Sequence, residues 1–71
     1  MKEFTVILYM PQNYIVAFRT TAPSAMHATL TALAHNTSCK PENVLTVLEG
    51  WPKVVTPHDY ESAYAVSIQC P

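Results

Sequence analysis

The side chains able to do chemistry are few in this sequence and widely spaced. His35 and Cys39, four residues apart, could supply half of a tetrahedral zinc site, and Cys70, His58 or Asp59 would have to supply the rest. No complete ligand spacing is present. His27 and His35, two helical turns apart, would stand about 12 Å from each other, too far to share one ion. The densest polar cluster is His58, Asp59 and Glu61. An acid–base site there would need a cleft and a nucleophile set against it. Capping is the simpler account: Thr56 precedes Pro57 at a helix start, Asp59 faces the helix N-terminus and Glu61 is solvated. With Gly50 the sole glycine, a Gly-rich phosphate loop is excluded. These residues nominate no catalytic group, no cofactor and no metal. A small metal-dependent or hydrolytic enzyme using His35, Cys39, His58 and Asp59 is the weakest of the readings considered. Cys39 and Cys70 could pair only if the tail folded back past the helix end, and in a cytoplasmic protein both are expected to be reduced.

Charge is scarce and unevenly placed. The 71 residues carry four basic and five acidic side chains, 13% of the chain, against a usual share of about 25%. From Phe4 to Cys39 the only charge is Arg19, and after Glu61 there is none. A net charge of −1 does not make a nucleic-acid surface. High apolar content with low net charge is the reverse of a disordered tail. No apolar run suits a membrane span, because the uncharged stretch from Thr20 to Cys39 is interrupted by threonines, His27, His35 and Asn36. Phe4–Met10 is short for a signal sequence and has no cleavage pattern, so the expected compartment is the cytoplasm. The length fits a single domain over residues 1–71.

The elements that would position these residues follow from periodicity. Phe4–Met10 and Tyr14–Thr21 are β-branched and aromatic, with a turn signal at Pro11-Gln12-Asn13. A three-residue loop pairs Leu8 with Val16, Val6 with Phe18 and Phe4 with Thr20. One face then carries Phe4, Val6, Leu8, Met10, Tyr14, Val16 and Phe18. The other carries Thr5, Ile7, Tyr9, Ile15, Ala17, Arg19 and Thr21. Met26, Leu30 and Leu33 predict a helix over residues 23–36, with Pro23 at its first position, Ser24 as an alternative cap and Asn36 ending it in a left-handed conformation. Val44–Glu49 is a third strand, and Gly50 marks a backbone position that a side chain would resist. The tail predicts a short helical turn from Thr56, then an edge strand in the alternating run 63–70.

The connection rules give an α+β fold. It is a small antiparallel sheet with a β-β-α-β core, strand order 2-1-3 and one helix on the Phe4/Val6/Leu8 face. The other face, Ile7, Tyr9, Ile15 and Ala17, is apolar and lacks a helix. Either the chain's own C-terminal segment or another chain must cover it. Trp51, between Gly50 and Pro52, either closes the end of the core or meets a partner. Arg19 is either a solvated strand residue, paired with Glu3 or Glu49, or an anchor for a partner's carboxylate.

The run Thr5-Val6-Ile7-Leu8-Tyr9-Met10-Pro11 with Tyr14-Ile15-Val16-Ala17, then Ala22-Pro23-Ser24-Ala25 and Pro41-Glu42-Asn43-Val44 through Glu49-Gly50, resembles small uncharacterised proteins carried by bacteria, phages and plasmids. The resemblance spans residues 5–50. It implies a β-β-α-β core and a mobile-element origin, and it carries over no site residue.

Together these features predict a non-enzymatic protein–protein interaction module that self-associates, most simply as a dimer. Its contact residues would be Ile7, Tyr9, Ile15, Ala17, Arg19 and Trp51. Tyr9→Glu or Ile15→Lys is expected to give a monomer or abolish partner binding. The alternative is a phage- or plasmid-encoded inhibitor of a host enzyme or defence complex, of the anti-CRISPR type. Neither nucleic acid nor a membrane is an expected partner.

Overall fold

The computed structural model describes residues 1–53 and 66–70. The two β-rich runs form strands β1 (Lys2–Tyr9) and β2 (Ile15–Ala22). The loop between them closes through Met10 N–H donating to the Tyr14 carbonyl (2.8 Å) and Asn13 N–H donating to the Met10 carbonyl (2.9 Å). Asn13 takes φ +70°, a left-handed conformation that asparagine tolerates better than most residues. The register is the expected one, with Leu8 opposite Val16, Val6 opposite Phe18 and Phe4 opposite Thr20.

Helix α1 (Ala25–His35) follows, then a 3-10 turn at Pro41–Asn43, strand β3 (Val44–Glu49) and strand β4 (Val66–Gln69). The strand order is β3-β1-β2-β4, so the expected 2-1-3 core is present with a fourth strand added beyond β2. β3 runs antiparallel to β1, as a crossover from β2 requires. β4 runs parallel to β2, which makes the sheet mixed and not wholly antiparallel. Over Val66–Gln69 it is the expected C-terminal edge strand. The helical turn expected from Thr56 lies outside the described residues.

The core lies between α1 and one sheet face. Phe4, Val6, Leu8, Met10, Val16 and Phe18 from the hairpin meet Ala22, Ala28, Ala32 and Cys39, with Tyr14, Leu33, Val44 and Val47 at the margins. Three expectations about the helix need correction. Pro23 stands outside it: Ser24 is the N-cap, its Oγ accepting from His27 N–H at 3.3 Å, because a hydroxyl can satisfy an orphan amide and the side chain of Ala22 cannot. Asn36 is not left-handed (φ −118°, ψ 71°). It ends the helix through its buried side chain, whose Nδ2 donates to the Ala32 carbonyl at 2.9 Å.

The third correction concerns the buried face. Met26 and Leu30 are 71% and 58% exposed, whereas Ala28 and Ala32 are fully buried. The hairpin's large side chains already fill the space between the layers, so only the small residues fit beneath the helix. They let its backbone approach the sheet closely.

Candidate functional site

The sheet face opposite α1 can be read row by row from the strand registers. Across the middle run Thr46 of β3, Ile7 of β1, Ala17 of β2 and Ile68 of β4. Towards one end Leu48, Thr5 and Arg19 form the next row, and towards the other Tyr9 faces Ile15. The alternation that sends Val6, Leu8, Val16 and Phe18 to the helix sends these residues the other way. Ile7, Tyr9 and Ile15 are half-buried, Ala17 and Thr5 are fully buried, and Ile68 is 46% exposed.

At the Arg19 end, the chain leaving β3 is laid over the sheet. Gly50 N–H donates to the Glu3 carbonyl at 2.7 Å, and Gly50 then takes φ +89°, a conformation that side-chain-bearing residues resist. Open space surrounds the place where a Cβ would sit, so the constraint on Gly50 is conformational. The turned chain passes over β1, where the buried Thr5 hydroxyl donates to the Gly50 carbonyl at 2.8 Å. It reaches β2, where Trp51 Nε1–H donates to the Thr20 carbonyl (3.4 Å) and Arg19 Nη2 donates to the Pro52 carbonyl (3.2 Å). Trp51 is held against the sheet and does not join the core cluster. Its indole nitrogen is tied to the sheet, and the residue stays 42% exposed.

Arg19 pairs with neither Glu3 nor Glu49. Glu49 instead meets Lys2 at 3.6 Å, on the exposed margin of the sheet. The Arg19 Nε atom is buried and has no hydrogen-bond partner among the described residues. A buried donor left unmet costs about 1–3 kcal/mol, so this group would gain from an acceptor.

The structure brings Ile7, Tyr9, Ile15, Ala17 and Arg19 onto one face and hangs Trp51 over its edge. Ala17, fully buried, serves as the floor of that face. Sequence reasoning missed Leu48 and Ile68, which extend the same face. Their alternation was legible, but the pairing of β3 with β1 and of β4 with β2 had to be known before it could be placed. The Gly50 and Pro52 carbonyls were not legible, because they are long-range backbone contacts.

The residues considered for chemistry do not converge. His35 stacks obliquely on Phe18 (ring centroids 5.2 Å apart), and its Nδ1 lies 3.0 Å from the Thr31 carbonyl, so Nδ1 is the protonated donor. Cys39 is buried with its thiol 3.2 Å from the Met10 sulfur, and burial pushes that thiol above its ordinary pKa. Cys39 and Cys70 are both free thiols. Among the described residues no group of three metal-ligating side chains comes together, and His58 and Asp59 lie outside them. No helix among those residues is long and apolar enough to cross a membrane.

Comparison of the chain with protein-family profiles, with curated proteins and with solved structures returns no match.

Proposed function

We propose that this chain is a non-enzymatic protein–protein interaction module of the cytoplasm that self-associates and acts by binding another protein through the sheet face opposite α1. The observation that carries this reading is the make-up of that face. Ile7, Tyr9, Ile15, Leu48, Ile68 and Trp51 put partly or well exposed apolar surface around a buried floor of Thr5 and Ala17. One arginine with an unmet Nε–H sits among them. Large aromatic and aliphatic side chains beside an arginine are the composition of residues that dominate binding energy. The face is held rigid from below by the sheet and at one end by the Thr5–Gly50 and Trp51–Thr20 bonds. A partner's carboxylate flanked by apolar residues would complement it.

The test is capture of a protein from a lysate of the source cell, followed by substitutions on this face. Ile15→Lys and Trp51→Ala are expected to lose the captured protein while keeping a cooperative thermal transition. Undiminished capture by both variants would contradict the reading.

A further inference from the structure

Among the described residues β3 is the outermost strand on its side of the sheet. Gly50 N–H points at Glu3 of β1, so by alternation the backbone groups of Leu48 and Thr46 also face β1, and those of Val47 and Glu49 face outward. Leu45 is the extra residue of a bulge, matched to no residue of β1, and is 55% exposed. Apart from the bulge at Leu45, the strand Val-Leu-Thr-Val-Leu-Glu carries no edge protection, neither proline nor an inward-pointing lysine. Its single charge, Glu49, is at the strand end beside Lys2.

We propose that the β3 edge is the self-association surface and that its occupant is the β3 strand of a second copy, antiparallel, about a two-fold axis at Thr46. This rests on the self-association part of the function proposed above and gives it a different surface from the partner-binding face. The register sets Thr46 against the second copy's Thr46, Val47 against the second copy's Leu45 and Glu49 against the second copy's Asn43. Apolar then meets apolar, threonine meets threonine, and no like charges oppose each other. The outward amide and carbonyl of Val47 gain a strand to bond. Because the contact is isologous, it uses up the edge and stops at two copies. The sheet faces opposite α1 of the two copies lie side by side and remain available to a partner.

Sedimentation equilibrium of the full chain tests this. The wild type is expected at twice its 7.9 kDa mass. Thr46 is exposed, so Thr46→Lys and Thr46→Glu should fold normally, each loosening the dimer about fivefold by opposing like charges. An equimolar mixture of the two should restore a tight heterodimer. Val47→Pro removes an outward donor without breaking a bond to β1 and should give a monomer. A wild type that stays monomeric at high micromolar concentration overturns the proposal. So does a dimer indifferent to the Thr46 and Val47 substitutions. If such a dimer were broken by Ile15→Lys, self-association would stand and only the β3 assignment would fall. A monomer that binds a foreign protein and loses it in Val47→Pro would overturn the second copy as occupant.

Discussion

The two faces of the sheet are built from the same two strands in opposite ways. On the helix side, Phe4, Val6, Leu8, Val16 and Phe18 are buried against Ala28 and Ala32, and nothing large is left exposed at the centre. On the other side, Ile7, Tyr9 and Ile15 stay half-buried and Ile68 is 46% exposed, and among the described residues the stretch Gly50–Pro52 crosses the face, tied down by side-chain bonds. The difference shows where the few charges matter. A face closed by its own helix does not need charge. A face that keeps Ile7, Tyr9 and Ile15 half-buried and Ile68 exposed, in a chain with nine charged side chains in 71 residues, is suited to a partner.

The sharpest way to break this comparison is to empty the closed side. Phe18 is among the largest fully buried side chains, so Phe18→Ala should cost about 3–5 kcal/mol. A domain of this size has only a few kcal/mol in hand, so loss of the cooperative thermal transition is the expected result.

A smaller effect separates the two stripes of the helix. Ala28→Leu forces volume into the tight seam under α1 and should cost about 1–3 kcal/mol by denaturant titration. Leu30→Lys, on the exposed stripe, should change stability by no more than about 0.5 kcal/mol.

The smallest effect is a pH dependence. Burial raises the Cys39 pKa from an ordinary 9.0, so the folded chain holds that proton longer than the unfolded chain. The stabilising contribution is complete below the ordinary value and is lost as pH rises through the raised one. The melting temperature should therefore fall more steeply above pH ~9 in the wild type than in Cys39→Ala. In the same protein at neutral pH, the exposed Cys70 should react with a thiol reagent well before the buried Cys39.

The hairpin was legible because its period-two pattern and its three-residue turn fix the same register independently. The order of the first three strands followed from connection rules alone. The helix was legible as an element, but its buried face was not. Met26, Leu30 and Leu33 form the larger apolar stripe, and size ordinarily marks the buried side, yet of the three only Leu33 packs against the core. Here the hairpin had already taken the interlayer volume, a fact that belongs to the assembled core and to no single segment. The candidate face was legible as far as strands β1 and β2 reach. Leu48 and Ile68 required the partner strands to be known. The bonds of Thr5, Arg19 and Trp51 run to backbone carbonyls or sequence-distant atoms that leave no mark in local pattern.

The most direct test sets the two exposed apolar surfaces against each other. Ile15→Lys on the sheet and Leu30→Lys on the helix place the same charge on opposite sides of the molecule, and both are compared with the wild type for capture of a protein partner. Loss of capture in Ile15→Lys with retention in Leu30→Lys is the predicted result. Retention in Ile15→Lys with loss in Leu30→Lys would contradict the account and move the binding surface to the helix.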